Sequence, residues 1–127
     1  MIIDELLLFY FYLKYVILVT SKEEYEMEEK LNNLPNSYKD DIKKAAKILK
    51  ENGAKEVFIF GSIANGKFNE NSDIDIAVRG INEKDFYKVA GILMFELENE
   101  FDLIDLDDKS NRFSQMLLRI GGLLKVE

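Results

Sequence analysis

Gly61-Ser62, followed after ten intervening residues by Asp73-Ile74-Asp75, is the part of this 127-residue chain whose residue types and spacing could do chemistry. A glycine placed directly after an apolar run lets the backbone turn sharply and lets a ligand come close. Ser62 then offers a hydroxyl and a backbone N–H. If a helical turn begins there, its free N–H groups form an anion site suited to phosphate. Asp73 and Asp75 stand two apart in a run of strand-forming residues, so their side chains leave the same face. Two carboxylates about 6–7 Å apart repel one another unless something cationic sits between them. A hard divalent ion such as Mg2+ suits that position, because it prefers oxygen ligands and binds few carboxylates together with phosphate. Ile74 and Ile76 point the other way and anchor the strand.

A third acid can come from residues 101–106. Asp102 lies among Phe101, Leu103 and Ile104, and would complete a three-carboxylate metal site if this strand runs beside the one carrying Asp73 and Asp75. Asp105 is the alternative, although three residues further on it faces the opposite side of a regular strand. Asp107 and Asp108 read as loop acids. The rest of the composition narrows the choice of chemistry. The chain has no cysteine and no histidine, which excludes thiol catalysis, imidazole bases, Ser-His-Asp triads and zinc held by thiolate or imidazole. The formal charge of −7 argues against a nucleic-acid-binding module, whose affinity rests on cationic side chains.

These residues need elements to position them. Residues 57–60 read as a strand buried on both faces, and 74–78 as a second strand. Residues 82–99 form a predicted helix with Phe86, Val89, Ala90, Leu93 and Leu97 on its apolar stripe and Met94 beside it. Residues 101–106 form the third strand, and the strand–helix–strand order favours a parallel pair between the second and third. Ser110 can cap a last helix carrying Phe113, Met116, Leu117 and Ile120, before Gly121-Gly122 and a short apolar tail. Upstream, Ser37 can cap a helix over 38–52 whose Ile42, Ala45, Ala46 and Leu49 recur at i, i+3, i+4 and i+7. The expected class is α/β (α+β in some schemes), a small mixed sheet flanked by helices.

Residues 1–36 are set apart from a 37–127 domain. Residues 6–19 are almost continuously apolar, broken by Lys14, and short for a membrane span. Three readings stay open: a segment packed on the domain or on another subunit, a membrane or surface anchor, or residues from an upstream start codon that the fold does not need. Ser21 and Glu24 then fit a capping box for a charged helix that Asn33-Leu34-Pro35 stops.

Taken together, Gly61-Ser62 and Asp73-Ile74-Asp75 resemble the hallmark of the nucleotidyltransferase superfamily that includes DNA polymerase β. The close spacing, the SDIDIAV strand and the small size look most like its minimal nucleotidyltransferase (MNT) branch, over residues 38–126. The resemblance implies the nucleotidyltransferase fold, Gly61 and Ser62 holding the nucleotide's phosphates, and Asp73, Asp75 and Asp102 as catalytic metal ligands. It further implies two Mg2+ ions, ATP as substrate, and attack of an acceptor hydroxyl on the α-phosphate with loss of pyrophosphate. Asn65 departs from the family, many of whose members carry Arg there; Lys67 or Arg79 could supply the missing cation. Gly121 stands where relatives often have Glu. Small MNT proteins are similar to the antitoxin half of HEPN/MNT modules, in which AMP is transferred to a tyrosine of a HEPN ribonuclease toxin. A cytoplasmic protein with such a toxin as partner is therefore expected, without direct nucleic-acid or membrane binding, a homo-oligomer being allowed. The alternatives are a binding antitoxin with a vestigial site and an aminoglycoside-type small-molecule nucleotidyltransferase.

Overall fold

The computed structural model describes residues 5–127. Two helices, α1 (Glu5–Asn32) and α2 (Asn36–Glu51), precede strand β1 (Glu56–Phe60). A one-turn helix α3 (Gly61–Asn65) leads through a loop to β2 (Ile74–Arg79), α4 (Glu83–Glu96), β3 (Phe101–Asp105), α5 (Arg112–Ile120) and β4 (Leu124–Lys125). The sheet order is β3-β2-β1-β4. β1 runs antiparallel to β2 and β4, while β2 and β3 are parallel and joined by α4. This is the mixed sheet that the element order predicts, since parallel neighbours need a crossover of helical length.

Alternation along the strands divides the core in two. Val57 and Ile59 of β1 and Ile74, Ile76 and Val78 of β2 face one side, where Ile42, Ala45 and Leu49 of α2 and Val89 and Leu93 of α4 cover them. Phe60 and Ala77 face the other side, with Leu106 and with Leu117 of α5. That second face is the thinner one, and it leaves room for a cleft.

The expected apolar stripe of α2 is buried as a whole. Ser37 does not cap it. The helix starts two residues earlier, after Pro35, whose carbonyl accepts from the Tyr38 and Lys39 N–H groups and so replaces a side-chain cap. Nor does Ser21 open a helix: α1 runs through it unbroken. No proline or glycine interrupts residues 5–32, and Thr20 Oγ1 and the Lys22–Glu26 pair bond within the helix instead. Residues 6–19 do not pack on this chain's own domain, because α1 buries none of its residues; packing on another subunit is a separate reading. Among the described residues, no helix is long and apolar enough to cross a membrane.

The ends of α4 and α5 show which polar side chain wins a cap. Asn82 caps α4, accepting from the Lys84 N–H. The helix stops at Glu96 instead of residue 99 because a buried acid draws the following backbone aside. Asp41 of α2, 1% exposed, accepts from the Glu98 N–H (3.0 Å), the Asn99 N–H (2.7 Å) and Asn99 Nδ2 (2.9 Å). Asn111 caps α5 through the Phe113 and Ser114 N–H groups, whereas Ser110 turns back to Asp108. Of the apolar residues expected along α5, Leu117 is buried while Phe113, Met116 and Ile120 are exposed. Met94 on α4 is exposed too. The apolar tail does more than expected: as β4 it pairs with the outer edge of β1.

Removing the Asp41 carboxylate strands buried donors. Asp41→Ala should lower the unfolding free energy by about 2–3 kcal/mol, measured by urea denaturation. Tyr38→Phe, which removes one hydroxyl, should cost about 1 kcal/mol.

Candidate active site

The site begins where β1 ends. Phe60 pairs with Asp75 across the antiparallel ladder, so the next residue, Gly61, passes directly over that carboxylate. Gly61 adopts φ +70, and a Cβ built on it would run into the Asp75 carboxyl group. Both the backbone angle and the space demand glycine. The chain then makes the single turn of α3 and leaves it through Gly66 at φ 79.

Asp75 lies opposite Asp102 in the parallel ladder between β2 and β3. Register partners share a face, so the two carboxylates leave the sheet together on the thinly covered side. Asp75 is half-buried and Asp102 exposed. The Asp75 carboxyl is pushed above the usual carboxylate range, first by burial, then by the charges of Asp102 and Asp73, then by hydrogen bonding with Asp102. The acids therefore press on one another as the structure stands, which is the condition in which a cation is most favoured.

A cleft of about 640 Å3 opens over this pair, within the range of small-ligand sites. Gly61, Asn65, Asp75 and Asp102 provide its polar lining; Phe60, Ile104, Phe113 and Leu117 form an apolar wall, and Gly121 and Gly122 the rim. The Phe60 and Phe113 rings meet at 5.9 Å and 56° in that wall. A ligand with a phosphate end and a planar apolar end matches such a lining.

The structure thus gathers Gly61, Asp75 and Asp102 in one cleft. Ser62 follows Gly61 but does not itself line the cleft, and neither does Asp73. Asp73 precedes β2 and is exposed, close enough for its charge to act on Asp75. Asp105 lies elsewhere. It pairs with Val78, its carboxylate accepts from the Asp107 N–H, and its carbonyl accepts from the buried Ser114 hydroxyl. Burial pushes its carboxyl up as well. Arg79 sits four residues along β2 from Asp75, about 13 Å away by strand rise, and Lys67 is exposed in the loop after α3.

Among the described residues, no three acidic or other metal-binding side chains form a ready-made ion cage. The chemistry of the donors still fits a hard divalent cation: two carboxylates in register, a third acid two residues upstream, and oxygen as the only ligand atom on offer. Two further residues position the site without lining it, and the sequence pattern did not single them out. Tyr38 donates its hydroxyl to the carbonyls of Ser72 (2.9 Å) and Glu70 (3.2 Å), pinning the loop just before Asp73. Asp41 pins the turn just before β3 and Asp102. The available signal was an acid at position 41 immediately beside the apolar stripe of α2.

Residues 43–126 match the family model described as Polymerase beta, Nucleotidyltransferase. That is more than half of the chain, which therefore belongs to this family. The protein adenylyltransferase MntA of Shewanella oneidensis is 34% identical over 86 residues, covering 64% of this chain and 62% of that protein. The chain thus spans less than two thirds of that relative's length. A crystal structure of a toxin–antitoxin with AMP-PNP superposes with a TM-score of 0.52 at 27% identity, covering 72% of each chain. A crystal structure of a mutant MntA toxin–antitoxin gives a TM-score of 0.52 at 27% identity, covering 67% of this chain and 70% of that one.

Folding raises the Asp75 pKa, so the folded state keeps that proton to higher pH than the unfolded chain. Stability falls as pH rises from the ordinary value of 3.8 through the raised one, and the full cost is present above it. In EDTA near neutral pH, Asp75→Asn should therefore melt higher than the parent, with the difference closing in acid below both values. Calorimetric melting across pH checks this. Gly61→Ala should cost about 1–3 kcal/mol through strain and through contact with Asp75.

Proposed function

We propose that this chain is a metal-dependent nucleotidyltransferase that moves AMP from ATP to a hydroxyl of a partner protein. The acceptor proposed is a tyrosine of a HEPN-type ribonuclease toxin, so that the protein acts as an antitoxin in the cytoplasm. The observation that carries this reading is the register of Asp75 with Asp102 beside Gly61 at the base of the cleft. Membership of the nucleotidyltransferase family supports the reaction class. The Shewanella relative, a protein adenylyltransferase, and the toxin–antitoxin structures support the acceptor and the partner.

In this reading, residues 37–127 form the catalytic domain, and Asp75 and Asp102 in the cleft, with Asp73 beside them, would hold Mg2+, which would neutralise charge at the phosphates and make the acceptor hydroxyl more acidic. Gly61, in the cleft lining, lets the triphosphate approach the backbone, and Ser62, just outside that lining, offers its N–H and hydroxyl to phosphates that extend past Gly61. The acceptor oxygen forms a bond to the α-phosphorus as the bond to the pyrophosphate oxygen breaks. Asp102, exposed at the cleft, takes the proton that the acceptor loses. Holding both reactants in line supplies much of the rate. The apolar wall of Phe60 and Phe113 receives the base.

A second reading, a binding antitoxin with a vestigial site, draws on the absence of a ready-made ion cage among the described residues. One experiment separates the two. After co-expression with the adjacent gene product, intact mass spectrometry should find the partner heavier by one or more AMP groups. The Asp73→Asn/Asp75→Asn double variant should reduce the modification rate by ~100-fold or more. An unmodified partner that is still neutralised by the double variant would favour the binding reading.

A further inference from the structure

Strand β3 lies at one end of the sheet, with its outer edge unpaired. The Ile74 N–H donates to the Glu100 carbonyl and the Leu106 N–H to the Val78 carbonyl. Residues 100, 102, 104 and 106 therefore turn their main-chain groups towards β2, and 101, 103 and 105 turn theirs outward. The Ser114 hydroxyl takes the outward carbonyl of Asp105. The N–H and carbonyl of Phe101 and of Leu103, and the Asp105 N–H, have no partner among the described residues. Such an edge is a template for another strand unless it is blunted. Here it is not: residues 101–105 contain no lysine or proline, and the register with β2 runs without a bulge.

This edge is continuous with the cleft. Leu103 borders the cleft although its side chain packs against the larger core, on the other face of the sheet; what reaches the cleft there is main chain. A strand laid along the edge sits about 4.8 Å from β3, and register partners share a face. A side chain opposite Asp102 therefore leaves on the cleft side, next to the carboxylates. The charge around the edge selects the occupant. From the end of β2 through α5, residues 79–120 contain nine Asp and Glu against six Lys and Arg, and residues 89–108 contain seven of those acids and no cation. Arg79, Lys84, Lys88, Lys109, Arg112 and Arg119 form no ion pair with them among the described residues, and Lys44 of α2 donates to the Glu96 carbonyl, not to a carboxylate. Lysine or arginine in an incoming segment is favoured. A second copy is not: a two-fold axis through this edge sets the other copy's Asp102 on the same face, where Asp75 and Asp102 already repel.

We propose that the acceptor segment of the partner protein binds in extended form along the outer edge of β3, held by the main chain at Leu103, with its hydroxyl residue opposite Asp102 and lysine or arginine beside it. The inference rests on the reading that a partner protein supplies the hydroxyl, and it adds how that hydroxyl is presented. Main-chain pairing supplies affinity without regard to sequence; the acids and the cleft supply the selection.

Residue-resolved hydrogen exchange of the full chain, with and without the co-expressed adjacent gene product, tests this. The Phe101, Leu103 and Asp105 amides should exchange at least ~10-fold more slowly in the complex, whereas those of Asp102 and Ile104, already paired with β2, should change little. Leu103→Pro removes an outward N–H at an edge position, where proline is tolerated, and should raise the KM for the partner at least ~10-fold. Glu98→Lys/Glu100→Lys should raise it as well, since both side chains are exposed. Tandem mass spectrometry should place AMP on a hydroxyl residue flanked by lysine or arginine. The exchange measurement decides the matter whether or not Leu103→Pro folds. Unchanged exchange at 101, 103 and 105 in a complex that still transfers AMP overturns the inference and leaves the proposed function standing. Protection of these amides without AMP transfer supports the docking edge and counts against the transferase reading. Protection that appears without the partner and grows with protein concentration overturns the inference, by assigning the edge to a second copy.

Discussion

The structure turns on a conflict within one strand. β2 lies between β1 and β3 and is packed on both faces, with Ile74, Ile76, Ala77 and Val78 all buried, yet it carries a carboxylate in its second position. Asp75 is tolerable there because Gly61 leaves room above it and the cleft keeps one side in contact with solvent. Asp102 on the neighbouring strand makes the position worse electrostatically. In a protein built only for stability, neither acid would be placed there. The pressure they exert on each other is the clearest physical sign that this face is kept for a ligand.

Helix α2 resolves part of that strain mechanically. Tyr38 and Asp41 are three residues apart and so lie on the same side of the helix. One takes hold of the loop that ends at Asp73, the other the turn that leads to Asp102. The acids are thus carried by segments tied to one rigid body on the opposite face of the sheet. Asp41 can be buried because each of its oxygens is met by a donor, which removes most of the penalty for taking a carboxylate out of water. α2 serves both as core packing and as the brace of the site.

Much of this was legible from residue order. Strands 57–60, 74–78 and 101–106, the crossover helix and the parallel pairing followed from periodicity, because the two core faces demand it. The period of two put Asp102 and Asp105 on opposite sides of the strand but left open which of them joins Asp75; the structure places Asp102 opposite Asp75. What could not be read were choices between equivalent local partners. Ser110 and Asn111 compete for one helix start, as do Ser37 and the Pro35 carbonyl, and the outcome depends on the direction from which the chain arrives. Ser21 lost its cap because nothing breaks the helix before it. Asp41 is a long-range case: its donors lie almost sixty residues away, beyond any local pattern. The exposure of α1 was equally hidden, since an apolar run looks the same whether or not the domain covers it.

The pairing of Asp75 with Asp102 also has a consequence for folding. Sliding β3 by one residue against β2 would turn Asp102 inward, towards the face where Phe101 and Leu103 pack against the larger core, and would push those two side chains into the cleft. A carboxylate forced into that core without a partner costs several kcal/mol. An acid in this strand thereby proofreads its own alignment: the misaligned chain is penalised by the same charge that the aligned one exposes. Neutral substitutions at position 102 would remove that check, leaving a protein freer to settle one residue out of step.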